Sequence, residues 1–317
     1  MKKGIFYILI TIFIFSTSEI ALKNLSMTLN PIQANFLRFI IALVVLYPLA
    51  KKQLKINNYK HTKRDYINYI KAAFILSVIS HTAYMMALLY LPSNKASIIY
   101  CSNSIFTIIF AEIFLKEKTD WLVRLGIIIN FIGLLIIINP LNIIIDIRGF
   151  ILILLSSITF GIYSAFGKYM GKGTPINGVV LISYVYLFSI IEYIILILLS
   201  HLEFVNGFLL KNNLSILSNI PLIEGFDISI IPSLLYSGIF ITGIGYVTYF
   251  LAMEYTSVTV ASLVFFIKPI TASIIAYILI GNTLNIGEMI GMCILFLGSM
   301  IIYIAKNKNL NRNYKKG

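Results

Sequence analysis

The chain has 317 residues, of which 59% are hydrophobic and 12% are charged, and its mean hydropathy is +0.92. Soluble domains hold about 45–50% apolar and about 25% charged residues, so a water-soluble globule is excluded. The formal net charge of +13 does not indicate a nucleic-acid-binding protein, since that function needs a basic patch on a solvated surface.

Apolar stretches follow one another along the chain with short polar breaks between them. A helix needs roughly 20 apolar residues to cross the hydrocarbon core of a bilayer. Membrane strands are excluded because they alternate polar and apolar positions, whereas these runs are apolar on nearly all sides. The sequence predicts an all-α integral membrane protein with ten transmembrane helices, spans 1 to 10, at residues 4–24, 32–50, 69–91, 96–115, 122–140, 149–170, 177–200, 229–253, 258–280 and 286–305.

Lys and Arg residues are distributed unevenly between the two sets of polar breaks. Cytoplasmic loops retain positive charge, and placing both termini in the cytoplasm puts nineteen of the 25 Lys and Arg residues on that side. Two more lie within spans, and the four on the opposite side are Lys23, Lys95, Arg148 and Lys211. We expect a multi-pass protein of the plasma membrane with both termini cytoplasmic.

The two halves of the chain are related in sequence. Each half carries five spans, an odd number, so the two copies lie upside down relative to each other in the membrane. We predict a first five-helix repeat at residues 1–145 and a second, inverted repeat at residues 146–317. The matching pairs are Tyr84 with Tyr249, Gly126 with Gly291 and Gly133 with Gly298 at a shift of 165 residues, and Gly4 with Gly149 and Phe15 with Phe160 at a shift of 145 residues.

Short motifs occur in a recognisable order along these spans. They are FSTSEIALK at 15–23, NPIQ at 30–33, FLRF at 36–39 and IKP at 267–269, together with Gly126 and Gly133. With these motifs the chain resembles the EamA family of the drug/metabolite transporter (DMT) superfamily over nearly its whole length. The resemblance implies ten helices in two inverted five-helix repeats, a central cavity, and transport of small metabolites, often amino-acid export.

Two positions depart from the pattern of that family. Ser104 stands where a proline is usual in span 4, although its counterpart Pro269 is present in span 9. Asn282 stands where a glutamate is usual after span 9. A helix kink is therefore predicted at Pro269, and a symmetric pair of kinks is not.

Charged side chains inside a bilayer are costly, and each one marks a candidate functional site. Lys268 lies about ten residues into span 9, roughly 15 Å from its end at about 1.5 Å per residue. It can attract a substrate carboxylate or phosphate, or it can neutralise a buried carboxylate such as Glu19 or Glu192. Pro269 lacks an amide hydrogen and frees a carbonyl one turn earlier, which offers further polar contacts there.

Several polar side chains occupy matching positions of the two repeats at this depth. Sites of inverted-repeat carriers lie at the repeat interface near the midplane. Packing roles are the alternative for the tyrosines, and a hydrogen-bonded core histidine is the alternative for His81. We predict that a cavity around the pseudo-two-fold axis is lined by Lys268 and its counterpart Asn103, His81 and its counterpart Tyr246, and Tyr84 and its counterpart Tyr249.

Glu19 on span 1 and Arg38 on span 2 carry opposite charges at similar depth. Both lie roughly 10 Å below the outer surface, so they can pair across the first hairpin. Two roles are open for this pair, a structural ion pair or a gate that couples transport to protons.

The sequence as a whole predicts a secondary transporter, an exporter, of a small metabolite. The expected substrate is an amino acid or related carboxylate, carried by alternating access through the cavity. The alternative is a cation or drug exporter that is coupled to protons through Glu19, with Lys268 in a structural role. Transport by either route requires a small-molecule substrate and the lipid bilayer as partners, with protons as a candidate coupling ion.

A membrane enzyme and a channel are the remaining alternatives. An enzyme would need ligand or catalytic clusters, but His61, His81 and His201 are scattered over different segments. A channel would need rings of repeated pore residues, which the two-fold repeat does not supply. We expect no catalytic residues, no metal, no cofactor and no nucleic acid, and the sequence leaves the oligomeric state open.

Overall fold

Helices form all the regular structure of the described residues. The computed structural model describes residues 2–138, 146–212, 214–225, 227–280 and 286–314, without the side chains at positions 19, 20, 93, 94, 276, 277, 279, 280 and 308–314. Within these ranges nine helices are long and apolar enough to cross a membrane, or ten if the bent pair Lys2–Ser16 and Ala21–Thr28 forms one span. The predicted all-α membrane fold is confirmed.

The helices match the ten predicted spans, and several extend beyond the apolar stretch. A short additional helix, Glu203–Lys211, lies in the polar segment between spans 7 and 8. The spans are, in order, Lys2–Ser16 with Ser18–Thr28, Pro31–Ile56, Lys63–Tyr90, Ser93–Tyr100 with Asn103–Leu115, Trp121–Ile138, Ile147–Gly171, Gly178–Ser200, Ile228–Tyr255, Val258–Ile280 and Ile286–Tyr314.

Side chains at the polar breaks cap the helices that follow them. The amide oxygen of Asn30 accepts a hydrogen bond from the backbone of Ile32 at 2.9 Å, and Pro31 begins span 2. Asn177 accepts one from the backbone of Val180 at the start of span 7. Such caps satisfy amide groups that the first helical turn leaves without a partner, so the turn residues fix where each span begins.

Spans 3 and 8 contain matching segments of π-helix. They are Phe74–His81 in span 3 and Ser237–Gly245 in span 8, which lie at corresponding places in the two repeats. A π-helix widens the turn and frees carbonyl groups from the usual pattern. The Ser77 carbonyl, for example, accepts a hydrogen bond from the backbone amide of Thr82, five residues later, and another from the Thr82 hydroxyl at 3.0 Å. The two halves therefore share an irregular helix as well as a sequence pattern.

Span 4 is the broken helix of the pair formed by spans 4 and 9. It leaves α-helical geometry at residues 101–102, where tighter turns join Ser104 to Cys101. The Ser104 hydroxyl then donates to the carbonyl of Ser262 in span 9 at 2.6 Å. Span 9 continues as one helix through Pro269. The irregular turn in span 4 thus forms without the proline that is usual there.

Contacts between the spans occur in pairs related by the repeat. Span 1 packs on spans 8 and 9, and its counterpart span 6 packs on spans 3 and 4. Gly4 of span 1 lies against Tyr255 and Thr256, while Gly149 of span 6 lies against Tyr90 and Leu91. These neighbours are themselves counterparts at a shift of 165 residues, so the two halves pack on each other in equivalent ways.

Spans 5 and 10 form a close helix pair through four glycines. A Cβ added at Gly126 would lie 2.8 Å from the Gly298 carbonyl, and one added at Gly133 would lie 3.0 Å from the Gly291 carbonyl. The lower-numbered glycine of one helix contacts the higher-numbered glycine of the other, so the two helices run antiparallel. Small residues allow this approach of backbones inside a membrane.

A partly buried carboxylate joins spans 4, 9 and 10 at one end of the bundle. The Glu117 carboxylate accepts hydrogen bonds from the backbone of Val258 at 2.9 Å and from the Thr259 hydroxyl at 2.7 Å. Lys306 of span 10 lies 3.4 Å from the same carboxylate. A negative charge at a helix N-terminus is stabilising, so Glu117 caps span 9. Its counterpart Asn282 lies outside the described residues.

Candidate functional site

A small cavity lies in the centre of the bundle, where spans 1, 2, 3, 4, 8 and 9 meet. Its volume is about 40 Å³, which is room for roughly three water molecules at 10–15 Å³ each. The apolar lining comes from Phe15, Leu22, Met85, Ile241 and Phe265. The polar lining consists of Ser18, Arg38, His81, Tyr84, Tyr100, Tyr246 and Lys268.

Lys268 lies on the cavity wall and is 3% exposed. Its backbone carbonyl accepts a hydrogen bond from the Ser16 hydroxyl of span 1 at 3.3 Å. Pro269, the next residue, cannot donate an amide hydrogen to the carbonyl of Phe265, and Phe265 also lines the cavity. Span 9 therefore places two features at the cavity, the positive charge of Lys268 and a helical turn that lacks one backbone hydrogen bond.

Arg38 supplies a second cation to the cavity and is also 3% exposed. Its guanidinium donates to the Thr242 hydroxyl at 2.9 and 3.2 Å and to the amide oxygen of Asn35 at 3.0 Å. These acceptors are neutral. A guanidinium has five N–H donors, so the group still has donors for an anionic ligand.

His81 and Tyr246 are hydrogen-bonded to each other in the cavity. The His81 Nε2 atom lies 2.6 Å from the Tyr246 hydroxyl, and both residues are 6% exposed. The two residues are counterparts in the repeat, 165 positions apart. Counterparts of two inverted repeats can meet only close to the axis that relates the repeats, so this hydrogen bond is the contact expected if the predicted pseudo-two-fold axis passes through the cavity.

The hydrogen bond between His81 and Tyr246 provides a test of the packing. Replacing Tyr246 with phenylalanine leaves a buried imidazole nitrogen without its partner, which costs about 1–3 kcal/mol. We expect Tyr246→Phe to lower the unfolding temperature in detergent, and the double variant His81→Phe, Tyr246→Phe to recover most of the loss. Tyr255→Phe is the matched control, because Tyr255 is 44% exposed. Equal effects of the single and double variants would contradict the expectation.

Aromatic rings close one side of the cavity. Phe15 stacks on Phe265 with ring centroids 5.6 Å apart, and its counterpart Phe160 lies 5.7 Å from Tyr100 and 5.2 Å from Phe265. Tyr249 also belongs to this cluster, 5.3 Å from Phe265. The cluster separates the cavity from the buried part of spans 4, 6 and 8.

Four of the six predicted cavity residues, Lys268, His81, Tyr84 and Tyr246, line the cavity. Tyr249 and Asn103 do not, and both are fully buried in the helix packing. Asn103 begins the second helix of span 4, directly after the irregular turn, and neither polar atom of its amide has a hydrogen-bond partner among the described residues.

The predicted partner of Arg38 cannot be placed, since the Glu19 side chain lies outside the described residues. The backbone at Glu19 belongs to the helix Ser18–Thr28, on the same span as the cavity residues Ser18 and Leu22. The ion pair of Glu19 and Arg38 stays a prediction.

Other residues of the site were not singled out from the sequence. Tyr100 and Phe265 are counterparts at the same shift that relates His81 to Tyr246, so the repeat contained a signal for them. Thr242 and Asn35, which bind Arg38, have no comparable signal. The counterpart of Asn35 is the apolar Val180 and that of Thr242 is Ser77, and uncharged polar residues occur throughout these spans.

Comparisons with known proteins agree with this architecture. The family model described as the EamA-like transporter family matches residues 2–139 and again residues 147–304. An uncharacterized transporter of Clostridium kluyveri is 31% identical over 98% of this chain and 96% of its own length. An uncharacterized transporter of Archaeoglobus fulgidus is 26% identical over 97% of this chain and 100% of its own length.

Two further similarities are more limited. An S-adenosylmethionine uptake transporter of Rickettsia bellii is 28% identical over 43% of this chain and 46% of its own length. A solved crystal structure shares the fold with a TM-score of 0.72 over 97% of this chain and 99% of that chain, at 13% identity. The family match covers nearly the whole chain, and the chain belongs to the EamA-like transporter family.

Proposed function

We propose that this transporter carries an amino acid or related carboxylate through the central cavity. The observation that carries the proposal is the pair of buried cations, Arg38 and Lys268, on the wall of one cavity. A substrate carboxylate would receive charge-assisted hydrogen bonds from the Arg38 guanidinium, which are stronger than neutral ones. Tyr84, Tyr100 and Tyr246 offer hydroxyl groups for the polar remainder of the substrate.

The size of the cavity supports an alternating-access cycle. At about 40 Å³ the cavity is too small for an amino acid, so substrate binding requires the spans around it to separate. Inverted repeats provide two similar arrangements by rocking of one repeat against the other. We take the repeats as residues 1–145 and 146–317, and the π-helical segments of spans 3 and 8 as the places where the helices adjust.

The orientation of the chain and its membrane also belong to this proposal. The excess of Lys and Arg in alternate loops supports cytoplasmic termini, and the plasma membrane is the expected location. The export direction rests on the family resemblance alone. The named relatives of Rickettsia are uptake transporters, so transport is to be measured in both directions.

The partial relatives also suggest a substrate to test. S-adenosylmethionine carries an amino-acid carboxylate, and this group would face Arg38 and Lys268 in the same way. A screen should therefore compare internal and external pools of amino acids and S-adenosylmethionine in cells with and without the protein. The alternative is a cation or drug exporter coupled to protons through Glu19, in which Lys268 has a structural role.

Substitution of Lys268 separates these two functions. We expect Lys268→Ala to lower transport of the substrate found in the screen at least about tenfold, since a lost charge-assisted hydrogen bond is worth about 1.5–3 kcal/mol. Lys211→Ala is the control, because Lys211 is an exposed lysine of the helix Glu203–Lys211. Unchanged export of organic cations by Lys268→Ala, with no transport of carboxylates by the wild type, would establish the alternative.

A further inference from the structure

A further charged side chain lies inside the membrane, away from the cavity. Glu192 is the fifteenth residue of span 7 (Gly178–Ser200), roughly 12 Å from the end of the span at about 1.5 Å per residue. Ionisable residues at such depth are costly and are found where they have a function. Glu192 does not line the central cavity and borders a different space.

The space around Glu192 is an apolar groove between spans 3, 4, 6 and 7. Its other lining residues are Ile70, Lys71, Phe74, Ile75, Phe114, Ile162 and Phe166. Phe74 is 50% exposed and Ile70 is 45% exposed, so the groove is open on the side of span 3. Lys71 is its other charged residue, and the described residues show no ion pair between Lys71 and Glu192 within 4 Å.

The Glu192 carboxylate has few polar contacts. Its Oε2 atom lies 3.3 Å from the Ser77 hydroxyl, and its Oε1 atom is buried without a hydrogen-bond partner among the described residues. Spans 4 and 6 contribute only Phe114, Ile162 and Phe166 to the groove. Span 2 also packs on span 7, and the described residues show no ion pair between span 2 and Glu192 within 4 Å. A partly buried carboxylate in apolar surroundings, without a counter-charge, is neutralised by binding a proton.

Ser77 connects this carboxylate to the π-helical segment of span 3. The Ser77 hydroxyl has one hydrogen and two acceptors within reach, the Ala73 carbonyl at 2.6 Å and Glu192 Oε2 at 3.3 Å. A charged carboxylate attracts this hydrogen more strongly than a neutral acid does. The bond to Ala73, inside the helix, is therefore weakened when Glu192 loses its proton.

The same segment reaches the central cavity. The Ser77 carbonyl accepts a hydrogen bond from the hydroxyl of Tyr193 at 2.7 Å, and the segment Phe74–His81 ends at the residue that binds Tyr246. Phe39 packs between the two regions, 5.8 Å from Tyr193 and 5.5 Å from His81. A shift of the π-helical segment therefore changes both Glu192 and the cavity wall.

We propose that Glu192 is a proton-binding site that couples protons to transport through the π-helical segment of span 3. In the forward step the Glu192 carboxylate takes a proton from water that enters the groove and becomes a neutral acid. In the return step the acid gives the proton back to water, and Ser77 again donates to the charged carboxylate. The coupling role rests on the proposed transport function, whereas the proton site does not.

Infrared difference spectroscopy of the full chain in lipid vesicles, between about pH 5 and about pH 9, tests the proton site. We expect a carbonyl band of a protonated carboxyl group that disappears on raising the pH and is absent from Glu192→Gln. Ser77→Ala should move the band to higher frequency, because the O–H group of the acid loses the Ser77 hydroxyl oxygen as its acceptor. Glu112→Gln is the control, since Glu112 is exposed and pairs with Arg124. A band that survives in Glu192→Gln would overturn the proposal.

Hydrogen exchange of the substrate-free protein tests the coupling. After correction for the intrinsic effect of pH, the amides of residues 74–82 should exchange at different rates in the two protonation states of the wild type. The difference should vanish in Glu192→Gln and remain in Glu112→Gln. A difference that persists in Glu192→Gln would overturn the coupling. Both measurements work without a substrate, so a failed transport assay leaves their outcome unaffected.

Discussion

We expect Arg38→Met to abolish most of the transport activity and to leave the folded protein at least as stable as the wild type. Arg38 is a buried cation of the cavity whose described hydrogen bonds go to the neutral groups of Thr242 and Asn35. Removing a charge from water costs several kcal/mol that neutral acceptors offset only in part. An apolar side chain of similar length, such as methionine, therefore does not lower the stability of the substrate-free protein. A carboxylate substrate, in contrast, loses its strongest contact.

The expected loss of transport by Arg38→Met follows from the energy of that contact. A hydrogen bond to a charged group is worth about 1.5–3 kcal/mol, so transport in proteoliposomes should fall roughly tenfold to a hundredfold. The unfolding temperature in detergent is measured on the same preparation. Arg124→Met is the matched control, because the Arg124 side chain is 63% exposed and such surface ion pairs contribute little.

Two results would contradict the role assigned to Arg38. Undiminished transport by Arg38→Met would exclude the guanidinium from substrate binding. A large fall in unfolding temperature would show that Arg38 neutralises a buried anion in the folded protein, as predicted for Glu19. In that case Glu19→Gln should cause a similar fall, and the double variant should recover stability, because removing one member of a buried ion pair costs more than removing both.

Gly126→Val is expected to have the largest effect on stability. A Cβ atom at this position would lie 2.5 Å from the side chain of Ile302 and 2.8 Å from the carbonyl of Gly298. The second neighbour is backbone and cannot move without the whole of span 10. Overpacking typically costs about 1–3 kcal/mol, occasionally more, and the contact between two backbones places this variant at the upper end.

The measurement for Gly126→Val is the fraction of monodisperse protein after extraction, together with the unfolding temperature. Gly298→Val should behave in the same way, since a Cβ there would lie 2.6 Å from Asn130 Oδ1 and 2.9 Å from the Gly126 carbonyl. Gly207→Ala is the control, because no atom lies within 4 Å of an added Cβ at Gly207. Normal yield and stability of Gly126→Val would exclude close packing of spans 5 and 10 in the membrane.

The sequence predicts the spans because the length and composition of each apolar stretch are set by the bilayer itself. It also predicts that His81 and Tyr246 belong together, since residues at matching depth in two inverted copies approach the axis that relates them. The sequence also marks Lys268 as a candidate site residue, because a charged side chain at the midplane of the membrane is costly. These predictions use only the depth of a residue within its span and the relation between the two repeats. Both can be read from a single sequence.

Other parts of the site depend on helix geometry that the sequence does not record. The π-helical segments of spans 3 and 8 and the irregular turn of span 4 at residues 101–102 contain no proline. Such a turn is expected beside a proline, yet span 9 is continuous through Pro269. Tertiary hydrogen bonds, such as that from Ser104 to the Ser262 carbonyl, decide these features.

The glycine contact between spans 5 and 10 has a consequence for the origin of this molecule. Each helix offers the same pair of glycines to the other, which is the self-complementary surface of an isologous dimer. A single five-helix ancestor inserted into the bilayer in both orientations would form this contact with a second copy of itself. Gene fusion would then have fixed one copy in each orientation, and the two halves, expressed as separate polypeptides, should still assemble through these glycines.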